Sequence, residues 1–220
     1  MMHKAARTLT RIGLASLALA AASCEDAYYR AMEAVGKHKR NLLVERVEEA
    51  RDSQEGAKEQ FKTALDRFTA VVGFEGGDLE AKYDELRAEL DDSEAQAQAV
   101  RERIADVQEV ARALFDEWED ELDQYTDDEL RLSSEIQLRD TQKRFAVLLR
   151  AMKRAEAKMD PILAAFRDQV LFLKHNLNAR AVASLQDKAA VLEADIAALI
   201  KEMEASIREA DAFINAMGQP

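Results

Sequence analysis

Apolar residues return at alternating steps of four and three along most of this chain. An α-helix has 3.6 residues per turn, so such a stripe runs along one side of a helix and is buried only against other helices. The feature therefore predicts long helices packed side by side. The stripe is most regular at Leu79, Tyr83, Leu86, Leu90, Ser93, Ala97, Val100, Ile104, Val107, Ala111, Leu114, Trp118 and Tyr125.

The same spacing continues on both sides of that segment. It occupies residues 43–71, with Gln54 as one polar member, and returns at 138–166 and 185–217. The 220 residues include 7 Gly and 2 Pro, too few turn formers for a fold of many short strands. We predict an all-α protein, an elongated antiparallel coiled-coil bundle of three or four long helices.

Two short breaks separate the predicted helices. Gly73 suits the left-handed position after the first helix, and Asp78 suits the N-cap of the second. Thr126 and Glu129 have the spacing of a capping box at the start of the third helix. These signals predict helices at 28–72, 78–125 and 127–217.

The third predicted helix is longer than its two neighbours. Pro161 lies inside it and predicts a kink or a turn, and we favour a kink because the stripe keeps its register across the proline. Residues 170–173 are apolar on every side of the helix, so we expect protein to surround them. The apolar face at 185–213 must fold back on its own chain or pair with a second subunit, and we expect a homodimer.

Polar residues interrupt the stripe just after residue 173. An amide-rich polar group that interrupts a buried stripe sets the register of packed helices, binds a partner or gates a kink, and these three alternatives stay open. The residues of this polar segment are Lys174, His175, Asn176, Asn178 and Arg180.

Acidic residues are concentrated between residues 78 and 125. This segment has 17 Asp or Glu and 5 Lys or Arg, in a chain of net charge -12. Such a charge repels phosphate backbones, so we expect no nucleic-acid binding. Its densest part is either a solvated helix flank or a site for divalent cations or a basic partner. The residues of this acidic group are Asp116, Glu117, Glu119, Asp120, Glu121 and Asp123.

The first residues have the features of an export signal. Three basic residues precede an apolar run at 12–22, which is too short to span a bilayer. Small residues at 21–23 then lead to Cys24, the only cysteine. This arrangement resembles the lipobox of bacterial lipoproteins. An ordinary signal peptide followed by an incidental cysteine is the alternative.

The lipobox resemblance implies removal of residues 1–23 and acylation of Cys24, which would attach the protein to a membrane that it does not span. The net charge would fall to -15 because three basic residues are lost. We predict a signal peptide at 1–23, a lipid-anchored tether at 24–27 and a single helical domain at 28–217. The protein would face the periplasm. Glu25 stands where Asp commonly retains such proteins at the inner membrane, so we favour the outer membrane.

Catalytic motifs are missing from the sequence. A carboxylate-bridged di-iron bundle needs Glu three residues before His, and neither His38 nor His175 has it. Serine hydrolase elbows, phosphate-binding loops and paired cysteine ligands do not occur either. We therefore expect a protein that is not an enzyme and that carries no cofactor or metal.

Four segments together resemble an uncharacterised family of bacterial lipoproteins, the domain of unknown function numbered 2959. They read AYYRAME at 27–33, GGDLEAKY at 76–83, LFDEWEDEL at 114–122 and FLKHNLNAR at 172–180. The resemblance extends over nearly all of the predicted mature chain. It implies a Gram-negative origin and brings no activity or site residues.

Three functions fit these features. The first is a lipid-anchored scaffold of the cell envelope that holds partner proteins. The second is a coiled-coil dimer, similar to BAR or phage-shock proteins, that binds or shapes a membrane, although a net charge of -15 opposes binding to anionic lipids. The third is an envelope protein that responds to cations through the acidic group.

Overall fold

The structure is a computed structural model that describes residues 29, 32, 36–73, 78–176 and 178–218. Within these residues it contains helices and turns and no strand, so the all-α prediction is confirmed. Four of the helices have 33 to 48 residues, which corresponds to about 50 to 70 Å each. The helices are α1 (Lys39–Val72), α2 (Leu79–Leu122), α3 (Asp128–His175), α4 (Ala179–Ser184) and α5 (Gln186–Gly218).

The chain divides into two compact units, Met1–Leu42 and Leu43–Pro220. In the first unit Gly36 has a left-handed φ of 80°, and the Lys37 N–H donates to the Met32 carbonyl at 2.9 Å. A bond that spans a left-handed glycine in this way is typical of a helix C-terminus. The prediction of one unbroken helix from residue 28 is therefore wrong, because Gly36 ends a helical segment before α1 begins at Lys39.

The second unit is an antiparallel bundle of α2, α3, α5 and the part of α1 that follows Leu42. Each helix contacts two neighbours through side chains that lie at matching levels. Examples are Arg103–Glu49 between α2 and α1 at 3.2 Å, Gln142–Glu119 between α3 and α2 at 2.9 Å, Arg154–Glu202 between α3 and α5 at 3.3 Å, and Arg51–Asp211 between α1 and α5 at 3.1 Å.

The predicted apolar stripe forms the core of this bundle. Burying one Leu or Phe side chain contributes about 1.5 to 3 kcal/mol, so the stripe is the main source of stability. Leu79, Tyr83 and Trp118, near the ends of α2, are half-buried, and Tyr125 is exposed because α2 ends at Leu122. The largest fully buried side chains include Phe61, Phe68, Leu86, Ile104, Leu148, Met152, Met159, Leu173, Ile196 and Leu199.

Helix α3 continues through Pro161 without a break. The structure thus excludes the turn that was one of the two alternatives at this position. The chain reverses later, at Asn176 and Asn178, and α5 then packs along α3. The rings of Phe145 and Phe213 lie 6.0 Å apart between these two helices. The apolar face at 185–213 therefore folds back on its own chain. The homodimer stays a prediction, but an uncovered apolar face at 185–213 no longer supports it.

Two predicted helix ends differ in detail. Gly73 does not take a left-handed φ, and its N–H donates to the Thr69 carbonyl at 3.0 Å as in a continuing helix. The N-cap of α3 is Asp127 rather than Thr126, because the Asp127 carboxylate accepts from the Glu129 and Leu130 N–H groups. The Asp78 cap is confirmed, with its carboxylate 3.1 Å from the Ala81 N–H.

The apolar run at 170–173 is only half buried. Val170 and Leu173 face the core, whereas Leu171 and Phe172 are 55% and 41% exposed. The expectation that protein surrounds all four residues is therefore wrong, because one side of α3 has no neighbouring helix here among the described residues.

Candidate interaction surfaces

Cys24 lies outside the described residues, as do the predicted signal peptide at 1–23 and the tether at 24–27. No helix among the described residues is long and apolar enough to cross a membrane. Because Cys24 is not among the described residues, its acylation stays a prediction from the sequence.

The polar segment forms the turn between α3 and α4. The Asn176 N–H donates to the Leu173 carbonyl, and its side-chain amide donates to the Phe172 carbonyl at 2.9 Å. Asn178 caps α4 by accepting from the Ala181 N–H at 3.0 Å. The other members, Lys174, His175 and Arg180, are exposed. The amides thus end one helix and begin the next, which leaves the charged side chains at the surface.

The acidic group lies in the last two turns of α2 and just after its end. All six members are exposed except Glu117, which is half-buried, and the Glu119 carboxylate accepts from the Gln142 amide. Among the described residues, no three His, Cys, Asp or Glu are placed to hold one metal ion. The acidic group and the polar segment lie at opposite ends of α3 and do not form one site.

Exposed apolar side chains surround the turn between α2 and α3. Four of the eight large apolar residues that the structure leaves exposed fall within 125–136. Trp118 fixes the geometry of this turn, because its indole N–H donates to the Ser134 hydroxyl at 2.8 Å. We call this group the tip surface, and its members are Tyr125, Leu130, Leu132 and Ile136.

The sequence already contained a signal for the tip surface. Leu132 and Ile136 are four residues apart and lie off the core stripe, which resumes at Leu138. Two apolar residues four apart on the solvent side of a helix are a signal of an exposed apolar surface. The prediction missed them because it followed only the core-facing positions.

Basic residues are concentrated in the middle of α3. Between Arg139 and Lys158 the helix has seven Lys or Arg and two acids, whereas α2 has 15 acids and five bases. The bases Arg139, Lys143 and Arg150 succeed one another at steps of four and seven, so they lie on one side of the helix, and all three are exposed. We call these three residues the basic face. The basic face was not predicted from the sequence because the net charge of the whole chain is negative.

A groove of about 540 Å³ lies between α2 and α3. Two ion pairs line it, Arg101–Asp160 and Arg167–Glu94. Each guanidinium already has a carboxylate partner, so the groove presents no uncompensated charge to a ligand. These contacts join the two helices.

Surface ion pairs shift the pKa values of a few side chains in the bundle. A hydrogen bond from Lys82 lowers the pKa of the Glu85 carboxyl, and one from Lys62 lowers that of Glu59. A hydrogen bond to Glu55 raises the pKa of the Lys58 ammonium. All of these groups are ordinary helix-surface partners, and none of them belongs to the tip surface or the basic face.

Comparisons with known proteins assign the chain no activity. No curated protein and no solved structure matches the chain. One family model matches residues 28–217, and its description is a protein of unknown function, DUF2959. The match includes both the tip surface and the basic face, and the chain belongs to this DUF2959 family.

Proposed function

We propose that this protein is a non-enzymatic, lipid-anchored protein of the cell envelope that acts as a helical scaffold and binds partner proteins. The lipobox-like sequence before Cys24 supports attachment to a membrane, facing the periplasm, with the outer membrane favoured over the inner one. A scaffold of this kind needs stiff helices and an exposed binding surface rather than a catalytic pocket.

The tip surface is the observation that carries the partner-binding part of the proposal. Leu130 and Leu132 are 58% and 54% exposed, and Ile136 is similarly open. Leu132 and Ile136 are four residues apart and share the solvent side of α3, and a contiguous apolar surface there is the kind of feature that another protein covers. The neighbouring acidic group adds negative charge, so the expected partner has an apolar patch bordered by basic residues.

Photo-crosslinking in cells tests this proposal. A photoreactive amino acid at Leu130 in the full chain should give a discrete crosslinked product with one envelope protein. The same group at Val191, which is equally exposed on α5, is the matched control and should give none. Equal products at both positions would contradict a role for the tip surface.

A second variant separates tethering from binding. Changing Cys24 to Ser should abolish the incorporation of labelled fatty acid into the protein and reduce the Leu130 product, because Ser lacks the thiol that receives the lipid. If the variant incorporates as much labelled fatty acid as the wild type, or if the wild type incorporates none, the lipid-anchoring part of the proposal is wrong, whatever the crosslinking result.

A membrane-binding dimer is a second candidate, and the basic face supports it. Exposed Leu171 and Phe172 on the same helix add apolar groups that a bilayer interface accepts. Sedimentation of the protein with anionic and with zwitterionic vesicles separates the candidates. If the protein sediments with anionic vesicles and not with zwitterionic ones, the membrane-binding dimer is favoured. If it sediments to the same extent with both kinds of vesicle, the scaffold is favoured.

The third candidate, a cation-responsive envelope protein that uses the acidic group, has the least support. Calcium should then raise the unfolding temperature, and the Asp120→Asn variant should reduce that effect. No calcium effect on unfolding would rule this candidate out.

A further inference from the structure

Helices α2 and α3 present opposite charges side by side on the bundle surface. On α2 the acids Glu102, Glu109, Asp116 and Asp120 succeed one another at steps of seven, seven and four, and all are exposed. We call these four residues the acidic face. Steps of seven and four return to the same side of a helix, so this row runs parallel to the basic face on α3.

The two rows also overlap in level along the bundle. The rings of Phe115 and Phe145 are 5.5 Å apart, and Glu119 accepts from Gln142. These antiparallel contacts place Arg139 to Arg150 beside residues 111–122 of α2. Asp116 and Asp120 lie within that range, and Glu109 lies just below it.

The charges of both rows are poorly compensated within the chain. Arg150, Glu109, Asp116 and Asp120 make no ion pair in the part of the chain that the structure describes. Arg139 pairs with Glu135, and Lys143 pairs with Asp140 at 3.1 Å; both pairs lie within α3, and of these four side chains only Glu135 is half-buried. Exposed pairs of this kind contribute little free energy, so they compete weakly with a partner.

We propose that a second copy of this chain docks on the α2–α3 surface as a twofold symmetric dimer. A twofold axis parallel to the helices places α2 of each copy against α3 of the other and preserves the level of every residue. The basic face of one copy then meets Asp116 and Asp120 of the second copy, and Arg150 meets its Glu109. The same contacts form twice.

This inference rests on the proposed partner-binding function and names one partner. A parallel axis keeps both tip surfaces at the same end, where they form one double surface for a further protein. It also keeps equivalent ends of the two bundles on one side, which suits two copies anchored in one membrane.

Charge favours a second copy over a membrane on this surface. A bilayer with anionic headgroups that covered the basic face would also lie against the neighbouring acidic face, which repels it. A second copy related by the twofold axis places opposite charges against both the acidic face and the basic face. The interface differs from the face at 185–213, which is buried within the bundle.

Charge reversal with two tagged full-length chains tests the inference. The first variant changes the basic face to Glu (R139E, K143E, R150E), and the second changes three acids to Lys (E109K, D116K, D120K). Each variant alone should lose self-copurification by on the order of tenfold or more, because like charges then face each other. When the two variants are co-expressed, copurification should return, because every contact again joins opposite charges.

The control reverses three exposed bases on α5 (K188E, K201E, R208E), with the same change in net charge as the first variant. It should copurify like the wild type, and circular dichroism should show all variants folded. Wild-type chains that fail to copurify, or variants that are not rescued by each other, would overturn the inference. Loss of anionic-vesicle binding by the first variant, without any self-association of the wild type, would also overturn it and assign the surface to lipid.

The two proposals fail separately. Equal crosslinking at Leu130 and Val191 with intact charge-dependent copurification would reject the tip surface and leave the dimer. A Leu130 crosslinked product with one envelope protein, without copurification of the two tagged chains, would reject the dimer and leave the tip surface.

Discussion

Arg51 and Asp211 form an ion pair between the first and the last long helix of the bundle, with a nitrogen–oxygen distance of 3.1 Å. They are 160 residues apart in the sequence. Hydrogen bonds to Asp52 and to Asp211 raise the pKa of the Arg51 guanidinium, which therefore stays charged. The pair marks the closure of the bundle: α5 returns along α3 and meets α1, so the chain buries its own C-terminal apolar face.

Replacing Phe213 with Ala tests this closure. Phe213 is 3% exposed and packs against Phe145, so its loss should lower the free energy of unfolding by about 3 to 5 kcal/mol. Urea unfolding followed by circular dichroism measures the change. The control is Val191→Ala on the exposed side of α5, which should cost less than about 0.5 kcal/mol. Equal effects of the two substitutions would show that α5 does not pack as described.

Replacing Gln54 with Leu should stabilise the protein. Gln54 is fully buried, and neither polar atom of its amide has a hydrogen-bond partner among the described residues. Removing an unsatisfied amide should raise the free energy of unfolding by about 1 to 3 kcal/mol.

The matched control for Gln54 is Gln60→Leu in the same helix. The Gln60 amide donates to the Glu89 carboxylate at 2.9 Å, so this substitution should lower the free energy of unfolding instead. A destabilised Gln54→Leu variant in the same urea titration would mean that the amide is satisfied in solution.

Alanine substitutions at the adjacent residues Asp127 and Thr126 should have different effects on stability. Asp127→Ala should cost about 1 kcal/mol, because its carboxylate accepts from two free N–H groups at the start of α3. Thr126→Ala should cost little. Amide hydrogen exchange at Glu129 and Leu130 reports the loss directly. If the Glu129 and Leu130 amides exchange faster in the Thr126 variant than in the Asp127 variant, Thr126 is the N-cap of α3 instead.

Gly36→Ala tests the break before α1. A left-handed φ is unfavourable for Ala by about 1 to 2 kcal/mol, although no atom within 4 Å would crowd its Cβ. Exchange of the Lys37 amide should therefore speed up. Gly218→Ala is the control, since its Cβ also meets open space and its φ is not left-handed. Slower exchange at Lys37 would indicate a continuous helix instead.

The core was predictable because only one side of each helix is buried. A stripe that includes Phe61, Ile104 and Leu199 identifies that side from spacing alone. Helix ends were harder, since they depend on tertiary contacts. Gly36 lies inside a helical pattern, and the polar segment at 174–180 ends a helix where the neighbouring helices also end.

The surfaces were less predictable than the core. Leu171 and Phe172 belong to an apolar run, but burial depends on whether a neighbouring helix reaches them. The basic face was missed for a different reason: a net charge sums over all sides of a chain, whereas Arg139 and Asp116 lie on separate helices. The acidic group was found because its six members lie within residues 116–123 of the sequence.

Mass spectrometry of the N-terminal tryptic peptide tests the lipid anchor most directly. In protein purified from membranes of a Gram-negative host, the peptide should begin at Cys24, end at Arg30, and carry a diacylglyceryl group on sulfur and an acyl chain on its amino terminus. A peptide that retains residues before Cys24, or one that carries a free Cys24 thiol, would contradict the anchored scaffold.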